Sequence, residues 1–186
     1  PQPTRAEVTD IANSIFDGTD AIMLSGETAI GHYPVEAVQV MMRIAINTEA
    51  ALPYSKMLLD KGADLEPQTD DAISYDACHT AHQLGAAAIV AFTTSGSTAR
   101  RVAKYRPGIP IISATPSSKQ RRRLLLSWGV YPYEVADPSN IADLLAQGAR
   151  LSRETGVAKE GDLIVITAGI PVGVAGTTNL RKVERV

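Results

Sequence analysis

Ala87-Ala88-Ile89-Val90-Ala91-Phe92-Thr93-Thr94-Ser95-Gly96-Ser97-Thr98 is the stretch that decides the fold. Its first six residues form an unbroken apolar run, the mark of a strand buried on both faces. Its last six are hydroxyls around one glycine, and residues 97–105 then read as a helix. A strand, a tight polar turn and a helix are one half of a strand–helix–strand unit. Outward from it the alternation repeats. Thr69-Asp70-Asp71 caps a helix over 69–84, and strands are expected at 87–92, 109–114, 130–133 and 162–167. Helices are expected between them at 97–105, 117–126 and 140–155, and Leu180, Val183 and Val186 alternate loosely as an edge strand would. Repeated units of this kind predict an α/β fold: a mainly parallel sheet, flanked by helices and joined by right-handed crossovers. Ligands of such sheets bind beyond the carboxyl ends of the strands.

Before this stretch the pattern differs. Thr4-Arg5-Ala6-Glu7 has the capping-box form, and Val8, Ile11, Ala12 and Ile15 recur at helical spacing up to a stop at Asp17-Gly18. Ala21-Ile22-Met23-Leu24 reads as a short buried strand, and Pro34 opens a helix whose apolar positions Val35, Val38, Met41, Met42, Ala45 and Ile46 run on to about residue 52. Between 53 and 68 the periodicity dissolves among charged residues, glycine and proline, with Met57, Leu58 and Leu59 as the apolar anchors. The expected organisation is therefore a first part at 1–52, a linker at 53–68 and a complete domain at 69–186.

A chain of 186 residues has room for one full domain and a fragment. Its 45% hydrophobic content, 20% charged content and net charge of -2 are ordinary for a soluble globular protein and offer no overall attraction to nucleic acid or a membrane. One cysteine, Cys78, excludes an internal disulfide framework and reads as a small core residue in a cytoplasmic protein. The polar opening Pro1-Gln2-Pro3-Thr4 does not resemble a signal peptide, and a start without methionine is what a truncated or excised chain would show.

Four places invite chemistry. The first is Thr93, Thr94, Ser95, Gly96, Ser97 and Thr98: hydroxyls, a glycine that allows close backbone approach, and the start of a helix, together suited to a phosphate. The same residues suit an ordinary helix cap, and they lack the Gly-Lys-Ser/Thr ending of a Walker A loop. The second is charge distribution. No acidic residue lies between Asp76 and Glu134, whereas Arg100, Arg101, Lys104, Arg106, Lys119, Arg121, Arg122 and Arg123 all do. As a set they favour a polyanionic ligand or an acidic partner, and without interleaved aromatic residues they argue against nucleic acid. The third is the glycine-rich connection 167–179, including Gly173, Val174, Ala175, Gly176, Thr177 and Thr178, expected to close over the hydroxyl loop. The fourth is Ser25-Gly26-Glu27, at the carboxyl end of the first strand. His32, His79 and His82 lack metal-ligand spacing and read as structural.

These residues resemble the pyruvate kinase family. Pro3-Thr4-Arg5-Ala6-Glu7, Asp17-Gly18-Thr19-Asp20-Ala21-Ile22-Met23-Leu24-Ser25-Gly26-Glu27-Thr28-Ala29 and Gly31-His32-Tyr33-Pro34 are similar to the end of that family's (β/α)8 catalytic barrel. Val102-Ala103-Lys104-Tyr105-Arg106-Pro107 with Pro110-Ile111-Ile112, and the stretch 161–179, resemble its carboxy-terminal regulatory domain. The resemblance implies a cytoplasmic, tetrameric, allosteric enzyme of glycolysis that transfers phosphate from phosphoenolpyruvate to ADP with magnesium and potassium. It further implies that residues 93–98 bind the phosphate of an effector, a sugar phosphate or AMP, and that residues 173–178 fold over it. Ser25, Gly26 and Glu27 would be only the rim of the active site. The metal-binding carboxylates, the phosphate-polarising lysine and the segment holding the pyruvate unit belong to barrel strands absent from these 186 residues. Ile30, where many relatives have lysine, argues against nucleotide contact here. The expected partners are therefore the effector, the rest of the barrel and further copies in a tetramer, with no metal bound by this chain. A free-standing phosphometabolite-binding module is the alternative, to which residues 1–52 would be of no use.

Overall fold

The computed structural model describes residues 2–172, 174 and 176–186. The chain divides into two compact units, Pro1–Pro53 and Tyr54–Val186. In the first, helices α1 (Arg5–Phe16), α2 (Gly26–Ala29) and α3 (Pro34–Ala50) follow one another, and α1 packs along α3. The capping box at α1 is complete. Thr4 Oγ1 accepts from the Glu7 N–H at 3.3 Å, and the Glu7 carboxylate accepts from the Thr4 N–H at 2.7 Å. These bonds to the Thr4 backbone and side chain hold the Glu7 pKa below the usual carboxylate range.

The strand expected at 21–24 does not form. A strand is stable only with a neighbour to bond its backbone, and the described residues of this unit contain no second strand. Its apolar side chains are correspondingly uncovered. Met23 and Ile30 are more than four-fifths exposed, and Val35, Val38, Met42 and Ile46 lie along α3 in the open.

The stretch expected to be a linker is partly a helix, α4 (Tyr54–Gly62). Leu58, one of its three apolar anchors, is buried against the core of the second unit, so packing of one side chain overrides the weak local pattern. Gly108 accommodates the ring of Tyr54, for a side chain there would meet the ring at 2.9 Å.

The second unit continues with α5 (Thr69–Leu84), β1 (Ala88–Phe92), α6 (Ser97–Lys104), β2 (Ile111–Thr115), α7 (Ser118–Leu124), β3 (Val130–Glu134), α8 (Ile141–Glu154), β4 (Leu163–Gly169) and β5 (Thr178–Arg185). The strands form one sheet in the order β3-β2-β1-β4-β5, parallel except for β5, which runs antiparallel to β4 along the edge. The mainly parallel sheet expected from the alternation is present, with strand ends shifted by at most two residues.

Successive strand residues face opposite sides, and each side has its own core. Ile89, Ala91, Ile111, Val130 and Val165 pack with residues of α5 and α6 and with Leu124 of α7. Val90, Phe92, Ile112, Ala114, Ile164 and Ile166 pack with Leu144 and Leu151 of α8. Burial of each such side chain contributes about 1.5 to 3 kcal/mol before entropy is counted. The helix closing onto β1 ends at Gly85 in the left-handed conformation (φ 59°), which glycine adopts without penalty. No helix among the described residues is long and apolar enough to cross a membrane.

Candidate functional site

After β1 the chain builds outward to β2 and β3, then returns across the sheet to β4 on the other side of β1. Strand order therefore reverses between β1 and β4, and a crevice opens at their carboxyl ends. Residues of the loop after β1 (Thr93 to Ser95, Ser97, Thr98) and, after β4, Val172, Val174, Gly176 and Thr177 enter it, with Val135, Asp137 and Pro138 after β3 forming a further wall. The cleft holds about 480 Å3 of empty space, including solvent at its mouth.

The hydroxyl loop is held by its own bonds. Thr93 Oγ1 accepts from the Gly96 N–H at 2.9 Å, and Ser95 Oγ donates to Ser97 Oγ at 3.0 Å. Gly96 is left-handed at φ 84°, which explains the glycine, and it forms the cap of α6. The Arg100 side chain folds back from α6 and donates to the Ser95 carbonyl at 3.2 Å. Thr93, Thr94, Ser95, Ser97 and Thr98 all line the cleft. Thr98 is already engaged: its Oγ1 lies 2.8 Å from Oγ1 of buried Thr178, tying α6 to β5.

Of the glycine-rich connection, Val174, Gly176 and Thr177 line the same cleft, and Thr178 belongs to the buried tie just described. Gly173 and Ala175, expected in this loop, lie outside the described residues. The loop is pinned at its base by Asn179, whose side chain accepts from the Ile170 N–H and donates to the Ile170 carbonyl, both at 2.8 Å. Thr177 crosses so close to the end of β4 that a side chain on Gly169 would meet its Oγ1 at 2.5 Å.

The basic residues do not act as one set. Arg101 Nη2 lies 2.6 Å from Asp70, and Lys104 Nζ donates to Asp71 at 3.0 Å, because α5 and α6 pack side by side. Arg106 is buried with a left-handed backbone (φ 51°), and its guanidinium lies 4.8 Å from the Trp128 ring centre. Lys119, Arg121, Arg122 and Arg123 are exposed on α7. The acid-free window was a property of the sequence interval, and acids just before it reach the cations through helix packing.

Spacing did not single out the wall formed by Val135, Asp137 and Pro138, nor Leu144 at the start of α8. The rule that ligands gather at strand ends applies equally to the third parallel strand and was the available signal. Among the described residues lining the cleft, Asp137 is the one that carries a charge.

Ser25, Gly26 and Glu27 stand in the first unit, where the Ser25 N–H donates to Glu27 Oε2 at 3.1 Å. Glu27 shares a broad open depression with Glu7, Asp10 and His32. His79 stacks on Tyr75, and His82 Nε2 lies 3.2 Å from Ser55 Oγ. Cys78 is buried with its thiol toward the Val102 carbonyl, and burial pushes its pKa up, as for an inert core thiol. The described residues contain no group of three or more His, Cys, Asp or Glu side chains able to hold a metal ion.

Comparison with known proteins gives one answer along the whole chain. Residues 71–184 match the family model of the pyruvate kinase alpha/beta domain, and residues 1–38 that of the pyruvate kinase barrel domain. Among curated proteins, a pyruvate kinase of Clostridium acetobutylicum is 48% identical over 99% of the chain and one of Geobacillus stearothermophilus is 50% identical over 99%. The chain spans 39% and 31% of their respective lengths. A solved pyruvate kinase from Cryptosporidium parvum superposes with a TM-score of 0.88 at 33% identity, over 99% of this chain and 36% of that one.

Proposed function

This chain belongs to the pyruvate kinase family, and from that premise we propose that it is the carboxy-terminal portion of an enzyme transferring phosphate from phosphoenolpyruvate to ADP, and that it carries the effector site. The observation that carries the reading is the cleft at the strand-order reversal, where hydroxyls of one loop meet the amino-terminal end of α6. No acid stands in the first turn of α6, so its positive end is free to attract an anion, by about 0.3 to 1 kcal/mol for an exposed charge. In this reading the segment bearing Val174, Gly176 and Thr177, which lines the cleft, folds over a bound sugar phosphate. The ligand would thereby couple the position of this loop to binding.

Match of residues 1–38 to the barrel, together with the bare apolar face of α3, supports the rest of the barrel as a partner. The same observations disfavour a free-standing binding module. Further copies in a tetramer, and magnesium and potassium held elsewhere in the parent enzyme, complete the proposal.

Two outcomes follow. The 186-residue chain alone is expected to form no pyruvate from phosphoenolpyruvate and ADP, because phosphoryl transfer needs metal ions and charge-stabilising groups held in place. A coupled assay with magnesium present checks this, and magnesium-dependent turnover by the pure chain would refute it. In calorimetric titration, at least one of fructose 1,6-bisphosphate, ribose 5-phosphate, glucose 6-phosphate and AMP is expected to bind. Joint replacement Ser95→Ala and Ser97→Ala should weaken that binding tenfold or more, each lost bond to a charged acceptor being worth roughly 1.5 to 3 kcal/mol. These two serines are preferred to Thr98, whose hydroxyl is committed to Thr178. Equal binding by wild type and variant would place the site elsewhere.

A further inference from the structure

Residues 54–62 lack a clear pattern in the sequence yet fold as α4, and their packing leaves a second hollow within the Tyr54–Val186 unit. It lies near the amino ends of β1 and β2, at the opposite edge of the sheet from the cleft, between α4, α5 and the turn that joins α6 to β2. Its empty space is about 520 Å3, including solvent at the mouth, within the range of about 300 to 1,000 Å3 usual for small-molecule sites. Its floor is buried protein: Leu58, Cys78 and Pro107 are covered, and the Cys78 thiol is turned to the Val102 carbonyl. Partly buried Tyr54 and Ile109 form walls. Glycine at 108 lets the Tyr54 ring stand there, since a side chain would meet it at 2.9 Å. At the exposed rim, His82 Nε2 and Ser55 Oγ lie 3.2 Å apart and join α5 to α4.

This lining sorts ligands by charge. Among the described residues it contains no Asp, Glu, Lys or Arg, so an anion entering it would lose hydration with no counter-charge to meet. An apolar ring gains by leaving water, and against the Tyr54 ring an aromatic one gains more than an aliphatic one of the same size. His82 adds an imidazole that can donate or accept a hydrogen bond. We infer that this hollow is a second ligand site, for a small uncharged aromatic compound bearing one hydroxyl or N–H group. The ring packs against Tyr54, Leu58 and Ile109, and its polar group bonds to His82. Such a site stands whether or not the cleft at the other edge takes a phosphate.

Three probes test ring, polar group and charge: phenol, cyclohexanol and phenyl phosphate, each titrated into the isotope-labelled 186-residue chain and followed by amide chemical shifts. Phenol is expected to saturate with a Kd of roughly 1 mM, as suits so few atoms, with the largest shifts at Tyr54, Leu58, Cys78, His82 and Ile109. Cyclohexanol should bind about threefold more weakly or worse, and phenyl phosphate should leave those signals unmoved. Ile109→Trp, which fills the hollow from its partly exposed wall, should abolish phenol binding. His82→Ala, at an exposed position, should weaken it about fivefold. Signals away from the hollow report whether each variant keeps the fold, and the His82 variant decides the matter if the tryptophan variant does not fold. Phenol shifts that fail to saturate, or that lie outside the hollow, overturn the inference. So do undiminished phenol affinity in His82→Ala, equal affinity for cyclohexanol, or movement of the same signals by phenyl phosphate.

Discussion

Replacing Asp71 by alanine is expected to lower the unfolding free energy by about 2 to 4 kcal/mol at neutral pH. Asp71 is buried near the start of α5, and its carboxylate accepts from the Glu66 N–H at 3.0 Å and from Lys104 Nζ at 3.0 and 3.1 Å. Alanine leaves the Glu66 N–H and a partly covered ammonium without that acceptor. Because Lys104 keeps contact with water, the loss stays below that of a fully enclosed ion pair. Burial alone would raise the Asp71 pKa. The hydroxyl dipole of Tyr105, the Glu66 N–H and the Lys104 ammonium together outweigh it and hold the pKa below the usual carboxylate value.

A lowered folded pKa sets the sign of the pH dependence. The carboxylate's contribution is complete above the ordinary carboxylate pKa of about 3.9 and is lost as pH falls through the lower folded value. Urea unfolding of wild type and Asp71→Ala should therefore give well-separated midpoints at pH 7 that converge under acid conditions. Coincident midpoints at pH 7 would show that the contact adds nothing to the fold. Since the hydroxyl loop leads into α6, the same substitution is also expected to weaken the effector binding proposed above.

The second large effect is expected at the opposite face of the sheet. Ile166 on β4 is fully buried, and its Cδ1 lies 2.9 Å from where a side chain on Gly148 of α8 would begin. Glycine is a poor helix residue, by about 1 kcal/mol against alanine, so its presence in mid-helix reflects the close approach of α8 to the sheet. Ile166→Ala should cost about 2 to 5 kcal/mol, the range for truncating a buried aliphatic side chain when the cavity cannot collapse. Gly148→Ala alone should be nearly neutral, since improved helix propensity is set against displacement of a flexible methyl. Combined with Ile166→Ala it should recover about 1 kcal/mol or more, because the added methyl then enters the vacated space. Strict additivity of the two substitutions in denaturant unfolding would contradict this packing.

Much of the alpha/beta domain was legible in the sequence because its signals are local. The apolar run at 87–92 could be recognised as a doubly buried strand without knowing its neighbours, and Gly96 and Gly85 mark turns whose backbone demands are set within a few residues. The hydroxyl loop was visible for the same reason, since a strand end, a polar turn and a helix start are contiguous in the chain. The run at 21–24 carries the same local signal and forms no strand, because pairing needs a partner that local sequence does not supply.

By itself, then, the sequence determined the order of strands and helices from residue 69 onward, the parallel character of the sheet and the loop after the first of its strands, all of which follow from side-chain periodicity and turn chemistry over short distances. Only the tertiary structure decided which charges are free. Arg101 and Lys104 are taken up by Asp70 and Asp71 once α5 lies against α6. It alone tied Thr98 to Thr178, eighty residues away, and brought Asp137 to the wall of the cleft. Those contacts depend on strand order, and strand order is chosen by how two apolar faces are covered at once, a condition on the whole sheet that no single stretch of residues expresses.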